Sequence, residues 1–174
     1  MFIVWFQGTP ITAGEDRSIP LDMPTLPERL KELNYSTHLV GKWHLGTAYR
    51  NVTPTRRGFD THYGYWNGYI GYFNHRTGKP GFEGLDMRDD FAPDFETVGH
   101  YATDLFTHRA VKLINNHNYR KPLFLLVSHL APHTGKYDTM TDNTVLEERS
   151  ADEMNRAFGY IQDVKRRRYV GNIR

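Results

Sequence analysis

The sequence predicts an α/β fold, and three observations carry that reading. Over residues 25–43 a capped amphipathic helix passes through a short turn into an apolar strand with a polar tip. Leu123-Phe124-Leu125-Leu126-Val127 is a continuous apolar run, the pattern of a strand covered on both faces. Between them, residues 101–115 read as a second amphipathic helix. Helices and strands alternating in this way are the grammar of layered α/β proteins.

The elements follow in order. Residues 1–20 read as an irregular lead-in, broken by Gly8, Pro10, Gly14 and Pro20. Its apolar start, Met1 to Phe6, is too short for a signal peptide and lacks a basic lead and a cleavage region. As written, the chain shows no route into the secretory pathway. Thr25-Leu26-Pro27-Glu28 has the form of a capping box, with proline tolerated in the first turn. Leu26, Leu30 and Leu33 then fall at i, i+4 and i+7, one stripe for a core. Asn34 ends the helix, and Ser36 to Trp43 follows as a strand.

From Gly46 to about Pro93 seven glycines, Gly58 to Gly84, interrupt regular patterning. Tyr63, Tyr65, Trp66, Tyr69, Tyr72 and Phe73 run between them. So many rings are costly to leave in water, so a long packed loop beside a site is expected rather than disorder. Ala102, Leu105, Phe106, Ala110, Val111, Leu113 and Ile114 give the second helix a broad apolar face, closed by Asn115-Asn116. The second strand ends in Ser128-His129-Leu130-Ala131-Pro132-His133-Thr134-Gly135, at the carboxyl edge where open α/β sheets place their ligands. After Lys136 the chain is polar. A capping-box pattern at Ser150 opens another helix, and Lys165-Arg166-Arg167-Arg168 reads as its solvated end, favoured by the macrodipole. No repeat is visible. The reading is one domain over 1–174, with a core at 20–135 and a loop and helix at 136–174.

Composition narrows the functions. The 174 residues are 39% hydrophobic and 24% charged, and the net charge of +2 argues against dedicated nucleic-acid binding. There is no cysteine, which excludes disulfides, cysteine zinc sites and a cysteine nucleophile. No stretch is long and apolar enough to span a membrane. Asn34-Tyr35-Ser36 and Asn51-Val52-Thr53 are glycosylation acceptors for a chain in the secretory pathway, the second weakened by Pro54.

Lys42 and His44 stand two apart at the tip of the first strand, bracketed by Gly41 and Gly46. In an extended backbone such residues point to one side. An ammonium suits a tetrahedral anion as a compact charge, and an imidazole can activate a nucleophile or move a proton. His133, after the second strand, is the third candidate, either as an anion ligand or as a proton donor to a leaving group. Two metal readings are weaker. Asp89-Asp90 is a tempting carboxylate pair in the glycine-rich stretch. His129 and His133 have the spacing of a helical zinc pair, but Pro132 and the strand context speak against a helix.

The whole run Asn34 to Gly46, with Gly41-Lys42-Trp43-His44-Leu45-Gly46 at its end, resembles the second signature of the sulfatase family, most closely its arylsulfatase B-like branch. Thr55-Arg56-Arg57-Gly58-Phe59-Asp60-Thr61 resembles the segment just downstream, and Lys121-Pro122-Leu123-Phe124-Leu125 through His133 the next block. Phe158-Gly159-Tyr160-Ile161-Gln162-Asp163 through Tyr169-Val170-Gly171 is similar to the same branch. The resemblance implies part of an alkaline-phosphatase-like sandwich, with a mixed, largely parallel sheet flanked by helices. It implies hydrolysis of sulfate esters, with a sulfated carbohydrate or aryl sulfate as partner. An N-acetylgalactosamine-4-sulfatase-like action on glycosaminoglycans, in a lysosomal or secreted setting, goes with that branch. Lys42 and His133 would contact the sulfate, and His44 would hydrogen-bond the nucleophile. Arg56 and Arg57 acquire no role, and Arg57-Gly58-Phe59-Asp60 reads as a structural turn.

The departures are as informative. The family's formylglycine arises from a Cys/Ser-x-Pro-x-Arg motif, which does not occur here. The N-terminal aspartate pair that helps hold calcium, the downstream Asp-Asn pair and a further sulfate-binding lysine are also missing. The expectation is therefore a partial sulfatase domain, itself inactive. The alternative is a non-catalytic paralogue that binds sulfated glycans or other anions. Metal-dependent phosphohydrolase chemistry is a more distant third.

Overall fold

The computed structural model describes residues 9–79, 81–133 and 151–171. Thr25 caps helix α1 (Leu26–Glu32), and both arms of the capping box form: the Glu28 amide donates to the Thr25 hydroxyl, and the Thr25 amide donates to the Glu28 carboxylate at 2.6 Å. Asn34 turns the chain in the left-handed region (φ 64°) and β1 (Ser36–Lys42) begins. Strand β2 (Thr61–Tyr65) runs parallel to β1, the hairpin β3 (Arg76–Lys79)–β4 (Phe82–Leu85) stands apart, and short β5 (Arg88–Asp89) and β6 (Ala92–Pro93) follow. Helix α2 (Ala102–Asn115) crosses back to β7 (Leu123–Ser128), parallel to β1 on its other side. Helices α3 (Ala151–Phe158) and α4 (Val164–Gly171) complete the described chain.

The main sheet has the order β6-β5-β2-β1-β7, parallel at β2-β1-β7 and antiparallel at β5 and β6. It is a mixed, mostly parallel α/β sheet. Because side chains alternate across a strand, β1 feeds two cores. Val40 packs with Tyr63, Tyr65, Tyr72 and Phe106 beneath α2, while Leu39 and Trp43 pack with Phe59 on the opposite face. Of the rings in the glycine-rich stretch, Tyr65 and Tyr72 are fully buried core and Tyr63 nearly so, whereas Phe73 stays 37% exposed; Ile70 joins the buried set.

Four expectations need correction. The region 46–93 is not only loop, since it supplies the central strand β2. Leu26 and Leu33 do not form a core stripe; they are 60% and 68% exposed, and the buried residue of α1 is Pro27. The helix is held by its N-terminal end instead. Gly58 approaches so closely that a Cβ there would lie 2.2 Å from the Glu28 amide nitrogen. The β7 run is not covered on both faces along its length, because β7 is the outermost strand among the described residues and Leu126 is 42% exposed. Lys165-Arg166-Arg167-Arg168 does not end the helix that opens after Ser150; it lies within the separate helix α4, and the Arg167 guanidinium donates to the Ile161 carbonyl and to Asn155. Ser150 itself lies outside the described residues. On α2, Ala102, Phe106 and Ala110 are buried, whereas Val111 and Ile114 are about half exposed.

Arg57, unassigned from sequence apart from its turn, is buried and ties the lead-in to the sheet. Its guanidinium donates to the Glu28 carboxylate (3.0 Å) and to the carbonyls of Met23 (2.6 Å) and Pro20 (3.3 Å). Truncation would strand these acceptors. We therefore expect Arg57→Ala to cost about 2 kcal/mol of unfolding free energy, from three lost hydrogen bonds and the void left by the buried guanidinium, while Glu28 stays partly exposed. Lys31→Ala, which removes the exposed pair with Asp60 at 2.8 Å, should cost less than about 1 kcal/mol. Urea unfolding midpoints check the contrast; equal losses would contradict it.

Candidate active site

The carboxyl ends of β1 and β7 and the lead-in loop enclose a cavity of about 940 Å³. Lys42, His44 and His133 all line it, together with Tyr69 and, from the β3–β4 hairpin, Thr77 and Lys79. The three candidates from sequence therefore meet in one place.

Backbone geometry brings them there. Lys42 is the last residue of β1, and the chain then continues beside β2, with the Trp43 and His44 amides donating to the Tyr65 and Trp66 carbonyls at 3.0 Å each. His44 itself sits in the left-handed region (φ 57°), so strand alternation alone does not aim its ring. Trp43 anchors the turn, its indole N–H donating to the carbonyls of Gly46 (3.1 Å) and Val52 (3.0 Å). His133 is set by the Leu130–His133 turn; its ring stacks on Tyr69 (centroids 6.2 Å apart, planes 6° apart) and its carbonyl accepts from the Tyr72 hydroxyl at 2.8 Å.

The electrostatics favour an anion. Lys42 is half buried, burial pulls its pKa below the usual lysine value, and among the described residues it has no carboxylate partner. The His44 Nε2 lies 2.8 Å from the Ile11 carbonyl oxygen. A carbonyl can only accept, so Nε2 carries the proton, and in the neutral ring Nδ1 holds the lone pair. Gly68 packs flat on this ring: a Cβ there would lie 2.9 Å from it.

Sequence reasoning missed two supporting residues. Buried Asp86 accepts from the amides of Trp66 (3.1 Å) and Asn67 (2.8 Å) and from the Asn67 side chain (2.9 Å), which fixes the turn carrying Gly68. Burial raises its pKa against those hydrogen bonds. Buried His62 donates from Nε2 to the Gly41 carbonyl at 3.1 Å, next to Lys42. Neither stands in a recognisable motif, because each acts through backbone contacts about twenty residues away.

The metal candidates are otherwise engaged. Asp89 pairs with Arg109, and Asp90 accepts from the His62 amide at 2.7 Å. His129 packs against Phe106, with centroids 6.3 Å apart. No group of three or more metal-ligating side chains occurs among the described residues. The acceptor asparagines Asn34 and Asn51 are both exposed, whereas Thr53 is buried, its hydroxyl donating to the Arg50 carbonyl.

Comparison with known proteins agrees with the fold. The sulfatase family model matches residues 6–173. Mouse arylsulfatase J is 41% identical over 131 residues, covering 74% of this chain and 22% of that protein. Mouse N-acetylgalactosamine-6-sulfatase is 31% identical over 126 residues, covering 68% of this chain and 24% of the relative. The crystal structure of Ps i-CgsB in complex with k-i-k-neocarrahexaose superposes with a TM-score of 0.73 at 27% identity, covering 93% of this chain and 36% of that one. The chain belongs to the sulfatase family, whose chemistry is sulfate ester hydrolysis. It spans about a quarter of the length of these two relatives.

The His62 contact gives a pH dependence. Burial lowers the pKa of His62 from 6.5 to about 4, and burial acts in the same direction on His38 and His75. The unfolded chain takes up the proton first, so stability is full above pH 6.5 and falls as pH drops toward 4. For His62 alone the loss is about 3 kcal/mol. His62→Gln, which keeps an N–H for Gly41, should flatten the fall when unfolding free energy is measured between pH 7 and 4. An unchanged slope would exclude His62 as its source.

Proposed function

We propose that this chain forms the sulfate-holding half of an arylsulfatase-type site that takes sulfated carbohydrate. The observation that carries the reading is the convergence of Lys42, His44 and His133 on one cavity beside a half-buried ammonium with no carboxylate partner among the described residues. The family membership, and relatives named as arylsulfatase and N-acetylgalactosamine-6-sulfatase, support the substrate class.

The roles follow from chemistry. Lys42 binds a sulfate oxygen as a point charge, more strongly for being partly withdrawn from water. His133, which lines the same cavity, would be a second sulfate ligand or the acid that protonates the departing alkoxide. His44 can offer Nδ1 to a nucleophile, since Nε2 is committed to Ile11. The attacking group is not in this sequence, which has neither cysteine nor a Ser-x-Pro-x-Arg motif. Within the branch, N-acetylgalactosamine 4-sulfate is the sugar sulfate we favour. Exposure of Asn34 and Asn51 is compatible with the lysosomal or secreted setting the resemblance implies.

The 174-residue chain should bind N-acetylgalactosamine 4-sulfate in calorimetric titration. Lys42→Ala and His133→Ala should each weaken that binding about tenfold or more, the worth of a charge-assisted hydrogen bond. The chain should not turn over an aryl sulfate; turnover abolished by Lys42→Ala would overturn its assignment as a holding half.

A further inference from the structure

We propose that the β3–β4 hairpin adds a second anion subsite to this cavity, so that the preferred ligand carries a further sulfate or carboxylate besides the group at Lys42. The inference rests on the sulfate-site reading above and extends it to substrate class.

Thr77 and Lys79 carry the argument. They flank Gly78 on β3, and both line the cavity that Lys42 lines. Thr77 is 6% exposed, and its buried hydroxyl has no hydrogen-bond partner among the described residues. A buried hydroxyl is costly to leave unpaired, and a ligand oxygen would satisfy it. Lys79 is exposed and enters no ion pair among the described residues. The other strong base on the cavity wall, Arg17, is already bound to Glu15 and to the carbonyls of Thr9 and Pro10. Lys79 therefore supplies the charge at the mouth that an incoming anion can use.

The subsite is also held at a fixed place relative to the first. The Tyr69 hydroxyl donates to the Gly78 carbonyl at 3.2 Å, between Thr77 and Lys79, and the same ring stacks on His133. Tyr69 thus spaces the hairpin from the sulfate end. A ligand with two anionic groups on neighbouring sugar positions or rings would engage Lys42 with one and Lys79 with the other.

Three probes test this by calorimetric titration of the whole chain: N-acetylgalactosamine 4-sulfate, N-acetylgalactosamine 4,6-disulfate, and a monosulfated disaccharide bearing a uronate. The wild type should bind at least one doubly anionic probe about fivefold tighter than the monosulfate, the reach of a solvent-exposed charge pair. Lys79→Ala should bring that ratio close to one, and Thr77→Val should lower it. Loss confined to the disulfate identifies a sulfate subsite, and loss confined to the uronate probe a carboxylate subsite. A ratio left unchanged in a Lys79→Ala protein with wild-type circular dichroism overturns the second subsite, even if Lys42→Ala still abolishes binding. If the wild type binds none of the probes, the sulfate-site reading falls and the subsite falls with it.

Discussion

Three backbones meet at the carboxyl edge of the sheet where there is no room for a Cβ. In register, Gly41 of β1 lies between Gly64 of β2 and Ser128 of β7. A Cβ on Gly41 would lie 1.9 Å from the Ser128 carbonyl oxygen, and one on Gly64 would lie 2.1 Å from the Gly41 oxygen. Gly41 also has a φ of 102°, a conformation that side-chain-bearing residues rarely adopt. Both halves of the site start from this junction. β1 proceeds to Lys42 and His44, and β7 proceeds through Ser128 to the turn that carries His133. The His62 ring then clamps the Gly41 carbonyl from below. A side chain at Gly41 would push β7 away and so separate Lys42 from His133 without touching either.

Above the junction, the charges are distributed unevenly in a way that suits an anion. Arg57 is deeply buried but fully engaged by a carboxylate and two carbonyls, and it serves the fold. Lys42 is half buried and has no such partner among the described residues. Withdrawing an ammonium from water without a counter-charge is unfavourable for folding. Strained or unsatisfied groups of this kind concentrate where a ligand completes them. The Nε2 of His44 is committed to the Ile11 carbonyl, which leaves Nδ1 as the ring nitrogen still open to a partner.

The sequence made the two strands that meet at the site legible, because apolar runs such as Leu123–Val127 and a polar tip such as Lys42-Trp43-His44 are local signals. The capping box at Thr25 was legible for the same reason. Strand β2 was not. Thr61-His62-Tyr63-Gly64-Tyr65 has a glycine where the strands crowd and a histidine that is buried and neutral, both of which look like loop in sequence. Residue spacing also overstated what it could deliver at His44, whose ring is placed by a left-handed turn and by Gly68 rather than by strand alternation. Leu26 and Leu33 had the helical period of a core stripe, yet α1 docks through Pro27 and its cap. Thr77 and Lys79 gave no signal, since their place on the wall of the cavity that Lys42 lines depends on how a hairpin more than thirty residues away packs on Tyr69.

The roles proposed for Lys42 and His133 have a thermodynamic consequence. Lys42 and His133 would meet a sulfate group in the bound substrate as well as in the transition state, so much of their interaction is uniform binding. Uniform binding raises affinity and leaves the chemical barrier where it was. Rate requires a group whose interaction grows as the S–O bond breaks, above all a nucleophile held beside the Nδ1 of His44. Under the proposed reading, groups of the first kind alone would let the cavity hold a sulfated sugar without lowering the barrier to its hydrolysis. Its specificity would then lie in how many anionic groups it can satisfy at once, which depends on the spacing that Tyr69 sets between His133 and the hairpin.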